Sequence, residues 1–157
     1  MTYDQLCEFL DDNCACEASR DWLDEYRAAH PGHSVAEIFD AIEQPQWRSW
    51  LIEQLALGVS KDIVEVAVKA ARRLWDPALG DLDNHLLQRP RSQERARYVF
   101  DAVQSFDDDY WLEAFDAALF ALTYDDSVDE SLDVINDLLR TLHPGTELAA
   151  RMEARYF

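Results

Sequence analysis

Glycine and proline are scarce, four and five in 157 residues. That excludes a loop-rich or collagen-like chain and leaves few marked turns. Alternating β-branched runs are missing, so sheet architectures have no support. No apolar run approaches the ~20 residues a membrane span needs. The first twenty residues show no basic region followed by an apolar one, so no secretory leader is expected. Cysteine is limited to three, Cys7, Cys14 and Cys16. An odd number confined to one end makes a poor disulfide framework, and a reduced, cytoplasmic protein is the expectation. Lysine is limited to two of the fourteen bases, Lys61 and Lys69.

Apolar residues, by contrast, are plentiful. They form 48% of the chain, with five Trp, seven Phe and six Tyr, so a folded core is expected rather than an acidic tail. They recur at spacings of three and four, which predicts an all-α fold. About eight mostly antiparallel helices would form a single-domain bundle over residues 1–157. The first helix is expected over Tyr3–Asp11 and the second over Cys14–Ala29, with Trp22 and Tyr26 inward. Ser34 and Glu37 spell a capping box for the third. Pro45 opens the fourth, which carries Trp47 and Trp50 at a helix crossing and stops near Gly58. Ser60 caps the fifth. Residues 76–91 read as an irregular stretch, and Ser92 starts the sixth helix. The seventh, Asp108 to Thr123, is apolar almost all round and should be central. The eighth runs from Ser127 to Leu142. His143-Pro144-Gly145 breaks it before a short final helix from Thr146.

The formal net charge is −18, from 32 acids and 14 bases. Such a surface repels phosphates, which argues against direct contact with nucleic acid or an anionic membrane. The excess is uneven. Residues 1–60 are net −9, residues 61–97 are net +2, and residues 98–139 hold twelve acids and no base. Within that last run Asp126, Glu130, Asp133 and Asp137 step by four, three and four, placing them on one helix face. A second row is Glu17, Asp21, Asp24 and Glu25. Like charges so spaced cost a few tenths of a kcal/mol per pair, with no evident local repayment. The functional reading is a face that docks on a basic protein, with Asp107, Asp108 and Asp109 beside the row. One helix offers about one charge per 5.4 Å turn, against one per ~1.7 Å in duplex DNA. Imitation of a nucleic-acid backbone would therefore need converging stripes. The competing reading is composition: Asp outnumbers Glu by 20 to 12, and Ala and Arg are abundant.

Candidate chemistry is sparse. Cys7, Cys14, Cys16, His30 and His33 carry zinc-ligating atoms, but C-x6-C-x-C and H-x2-H match no usual structural zinc spacing, so no metal is expected. His85 and His143 stand alone and suit solvent or capping roles. Scattered glycines build no phosphate loop, no nucleophile elbow is present, and no cofactor or catalytic residue is expected. The bases Lys69, Arg72, Arg73, Arg89, Arg91, Arg95 and Arg97 read as internal counter-charge.

The stretch Asn13-Cys14-Ala15-Cys16-Glu17-Ala18-Ser19-Arg20-Asp21-Trp22-Leu23 resembles the opening of a family of bacterial and phage immunity proteins. Trp47-Arg48-Ser49-Trp50-Leu51 fits that family's W-x-x-W-L segment. Ala67 to Arg73, Arg89-Pro90-Arg91 and Arg151 to Phe157 follow its later order in outline. From Phe100 to Leu142 the chain departs from it, being aromatic and acidic where the family is Ala-rich. The resemblance implies neutralisation of a toxin by binding, and it brings no catalytic residues. Together with the charge, it leads to a non-enzymatic inhibitor of a basic, nucleic-acid-handling partner, a toxin or a defence nuclease complex. The alternative is a helical scaffold that self-associates through aromatics such as Tyr156 and Phe157.

Overall fold

The computed structural model describes residues 1–74, 90–124 and 130–157, with 90–93 described by backbone alone. Among these residues there are nine helices and no strand, so the fold is all-α as the spacing predicts. The helices are α1 Tyr3–Asp12, α2 Glu17–Ala29, α3 Val35–Asp40, α4 Pro45–Gln54, α5 Lys61–Arg73, α6 Pro90–Asp107, α7 Trp111–Leu122, α8 Glu130–Leu142 and α9 Gly145–Tyr156. The all-α bundle expected over 1–157 groups into two compact units. One comprises Met1–Gly58 with Leu139–Phe157, the other Val59–Leu138.

In the first unit, local signals decide where helices begin. Thr2 and Gln5 form a reciprocal capping box at α1, as Ser34 and Glu37 do at α3. Pro45 takes the first turn of α4, where its missing N–H costs nothing. Leu6, Phe9 and Leu10 of α1 are buried, with Val35, Ile38 and Phe39 of α3 and Leu51 and Ile52 of α4. Each such side chain contributes roughly 1.5–3 kcal/mol. Trp50 of α4 packs on Phe9 of α1 at 6.0 Å, and Trp47 on Trp22 of α2 at 5.8 Å, so both tryptophans do mark crossings.

Polar groups hold the junctions. The fully buried Arg48 guanidinium donates to the carbonyls of Phe39 at 2.8 Å and Ile42 at 2.9 Å. A cation is thereby set at the negative end of α3. α9 packs against α3 through Gly145, whose N–H donates to Asp40 Oδ1 at 2.7 Å. A Cβ at Gly145 would overlap the Ala36 carbonyl oxygen, so only glycine permits this approach. His143 is buried, not solvent-facing. Its ring nitrogens meet the Gly58 carbonyl at 2.7 Å and Glu147 Oε1 at 3.2 Å.

In the second unit, α5, α6 and α7 pack against one another. Ala67, Ala70 and Ala71 of α5, Ala96 and Ala102 of α6, and Ala114, Ala118 and Ala121 of α7 are all buried. These small residues let the backbones approach closely, with Val99, Phe115, Leu119 and Leu122 filling the space between. α7 is central as expected, yet Leu112 and Phe120 point outward, at 37% and 54% exposure.

Helix ends differ most from the sequence pattern. α1, α4 and α6 each close with a Schellman motif, the N–H two residues past the cap returning to the carbonyl five back. The bonds are Ala15 to Leu10 at 3.0 Å, Leu57 to Ile52 at 2.9 Å and Tyr110 to Ser105 at 2.8 Å. The left-handed residue in each is not glycine but Cys14 (φ 55°), Ala56 (φ 54°) and Asp109 (φ 62°). Hence α2 starts at Glu17 rather than Cys14, and α7 at Trp111 rather than Asp108. α6 already begins at Pro90, and the rest of the expected irregular stretch lies outside the described residues.

Candidate partner-binding surface

α8 gathers three of the expected acids. Glu130, Asp133 and Asp137 are exposed along one face, while Ile135 and Leu139 are buried on the opposite one. Val134, 53% exposed, sits among the carboxylates, giving the face an apolar contact point. Glu130 and Asp133 occupy the first turn of α8, where the helix dipole favours negative charge. The local cost of the row is thus partly offset, contrary to the expectation from spacing alone. Asp126 lies outside the described residues.

Asp107, Asp108 and Asp109 form a second group. Asp107 ends α6, Asp108 and Asp109 make the turn into α7, and all three are exposed. The final turn of α6 contains no base. Three carboxylates therefore stand at the negative pole of a helix, each unfavourable there by about 0.3–1 kcal/mol. Beside them Tyr110 is 60% exposed. Aspartate does suit the left-handed position at Asp109. At Asp107 and Asp108 no base in the last turn of α6 offsets the charge, and only the start of α7 at Trp111, beyond the turn, favours it.

Charge divides between the units almost evenly. The first holds 14 acids and 6 bases, the second 18 and 8. Within the second, every base precedes residue 98. Lys69 pairs with Glu65 of its own helix at 3.0 Å, Lys61 lies over the Trp111 ring at 5.0 Å, and Arg95 donates to the Ala121 carbonyl at 3.1 Å.

The second acidic row, Glu17, Asp21, Asp24 and Glu25, is exposed on α2. Asp24 accepts a long hydrogen bond from the Tyr3 hydroxyl at 3.4 Å. Burial, with Cys7 and Asp24 alongside, pushes that hydroxyl up to about 12. Along the flank of the same helix runs a feature the sequence pattern hides. Trp22 and Tyr26, expected inward, are half-buried and continue a line of rings from Trp47 to His30 and His33. Their i,i+4 spacing was the available signal, but it is also the signature of a core stripe. Among the described residues no three His, Cys, Asp or Glu side chains group as a metal would need, and His30 and His33 stack face to face at 4.6 Å instead. Cys14 and Cys16 are exposed free thiols and Cys7 is half-buried. Among the described residues no helix is long and apolar enough to cross a membrane.

Comparison with family models, with curated proteins and with solved structures returned no match for the chain.

Proposed function

We propose that the protein is a non-enzymatic binding protein that neutralises a basic, nucleic-acid-handling partner, in the manner of an immunity protein or a phage-encoded inhibitor. The observation that carries this reading is the placement of Asp107 and Asp108. They stand at the unfavourable end of α6, exposed, with no base in that turn and an exposed Tyr110 next to them. Natural chains keep locally costly charge where function needs it. The α8 face, with Glu130, Asp133 and Asp137 around Val134, supports the same reading, because an apolar point ringed by charge is how protein interfaces are built. The resemblance of the N-terminal third to immunity proteins agrees with it.

The deciding experiment coexpresses the chain with the products of neighbouring genes. It then measures affinity for a captured basic partner and competition with that partner's nucleic acid. Glu130→Lys, Asp133→Lys and Asp137→Lys together should lower affinity more than tenfold with helicity unchanged, since like-charge juxtaposition costs several kcal/mol. Asp107→Asn with Asp108→Asn should weaken binding while stabilising the fold by about 0.3–1 kcal/mol each. Unchanged affinity in both variants overturns the assignment. A self-associating scaffold is favoured by one observation, the outward Phe120 stacked on Tyr98 at 5.4 Å. Tyr156 is less available for such a role, since its hydroxyl donates to the Gln54 carbonyl and its ring packs on Phe9. Sedimentation as a homo-oligomer without a partner would select that alternative.

A further inference from the structure

The rings along α2 form a continuous surface. Trp47 lies 5.8 Å from Trp22, Trp22 stacks on Tyr26 at 5.2 Å, and Tyr26 reaches His30 at 4.5 Å. His33 closes the line, its Nδ1 hydrogen-bonded to the Tyr26 hydroxyl at 2.7 Å and its ring stacked on His30. None of these rings is buried, and His30 is exposed. The turn that carries His30 and His33 is held by backbone bonds from His30 to Tyr26 and from His33 to His30, and by Arg27, whose guanidinium donates to the His33 carbonyl at 3.2 Å. The neighbours leave the edge open: Ala18 and Ala29, on the Trp22 side of the helix, are exposed and small. Glu25, one turn from Trp22, is exposed as well.

We infer that this surface is a recognition site for arginine side chains of a protein partner, rings taking the guanidinium face and Glu25 and Asp21 its edge. A planar cation gains from aromatic faces and from carboxylates together, which is the combination on α2. A nucleobase would also stack, but its phosphates would meet the exposed acids of the same helix. The opposite flank of α2 already shows the chemistry within the chain. There Arg27 places its guanidinium 4.7 Å from the Tyr3 ring centre, with Asp24 on the Tyr3 hydroxyl. On the Trp22 flank, among the described residues, no cation stands over the rings and no ion pair engages Glu25 or Asp21. The site lies on helices other than α6 and α8, so it stands or falls apart from the reading of those acids.

The test titrates the full chain with hexa-arginine and hexa-lysine peptides and follows the indole N–H resonances, assigned with Trp22→Phe and Trp47→Phe. Trp22 and Trp47 should shift saturably with hexa-arginine, while Trp111, already faced by Lys61, should not. Hexa-arginine should bind about two- to fivefold more tightly than hexa-lysine at these rings. Glu25→Gln with Asp21→Asn should weaken the shifts without altering helicity, and so should His30→Ala, which touches no core. Equal affinity for both peptides, or shifts indifferent to these substitutions, overturns the proposal. So does tighter binding of a thymidine hexanucleotide, or concentration-dependent shifts without peptide, which would assign the rings to contact between copies. The Glu130→Lys, Asp133→Lys, Asp137→Lys chain should retain the indole shifts. Their loss would place peptide binding on α8 and overturn the α2 site.

Discussion

Ala56 is held at φ 54° with no glycine to make that conformation cheap. The left-handed region costs a residue with a Cβ roughly 1–2 kcal/mol. The Schellman bonds at the end of α4, Ala56 to Glu53 and Leu57 to Ile52, sustain it. Ala56→Gly removes the strain and returns part of the gain as unfolded-state entropy, so a net stabilisation of about 0.5–1 kcal/mol is expected. A higher urea midpoint at unchanged slope is the measurement that checks it. Gly145→Ala is the mirror case. Its new Cβ meets backbone at Ala36 rather than a yielding side chain, and a loss of about 1–3 kcal/mol is expected as α9 is forced off α3. These two positions also mark the reach of sequence reasoning at this scale. Pro45 and the Ser34–Glu37 pair were legible because their chemistry names a helix start. The stops at Cys14, Ala56 and Asp109 were not, because the usual signal for a left-handed cap is glycine and none stands there.

Helices carry the electrostatics, through their ends. At α3, Ser34 offers its backbone N–H to Glu37 at 2.6 Å, and this bond, with the Ser34 hydroxyl and nearby His33, holds the Glu37 carboxyl below its ordinary value. A depressed carboxyl contributes stability that is present above its unfolded value near 4.3 and is lost as pH falls through the folded one. The wild-type chain should therefore lose more stability than Glu37→Gln between about pH 5 and pH 3. Denaturant midpoints across that window would show parallel curves if the box were idle. At α8 the acid row was legible, since a period of three and four is a property of the sequence itself. At the α6–α7 turn the residues were legible and their setting was not. Reading helix from Asp108 onward hid the left-handed break at Asp109, and with it the unfavourable pole on which Asp107 and Asp108 stand. The ring line on α2 was misread for a related reason. Spacing gives a face but not whether that face is covered, and Trp22 and Tyr26 are only half covered.

For the whole molecule, a net charge of −18 sets two responses to salt that run in opposite directions. With 32 acids against 14 bases, most acids have no base to pair with. Ion pairs within 4 Å include Met1 with Glu153, Arg20 with Asp11, Lys69 with Glu65 and His143 with Glu147. The remaining repulsion works against the compact state. Screening shortens its range from about 30 Å at 0.01 M to about 8 Å at 0.15 M salt. The melting temperature should therefore rise by a few degrees over that interval, since about 1 kcal/mol moves a chain of this size by roughly 2–4 °C. Binding to a basic partner should weaken over the same interval, mainly through a slower association rate, because the attraction is screened equally. Composition and function separate on this pair of measurements. Acidity that is only compositional produces the first response without the second. A partner docked on the α8 face and the α6–α7 turn produces both, and the Glu130→Lys, Asp133→Lys, Asp137→Lys chain, with its charge reduced, should show both flattened together.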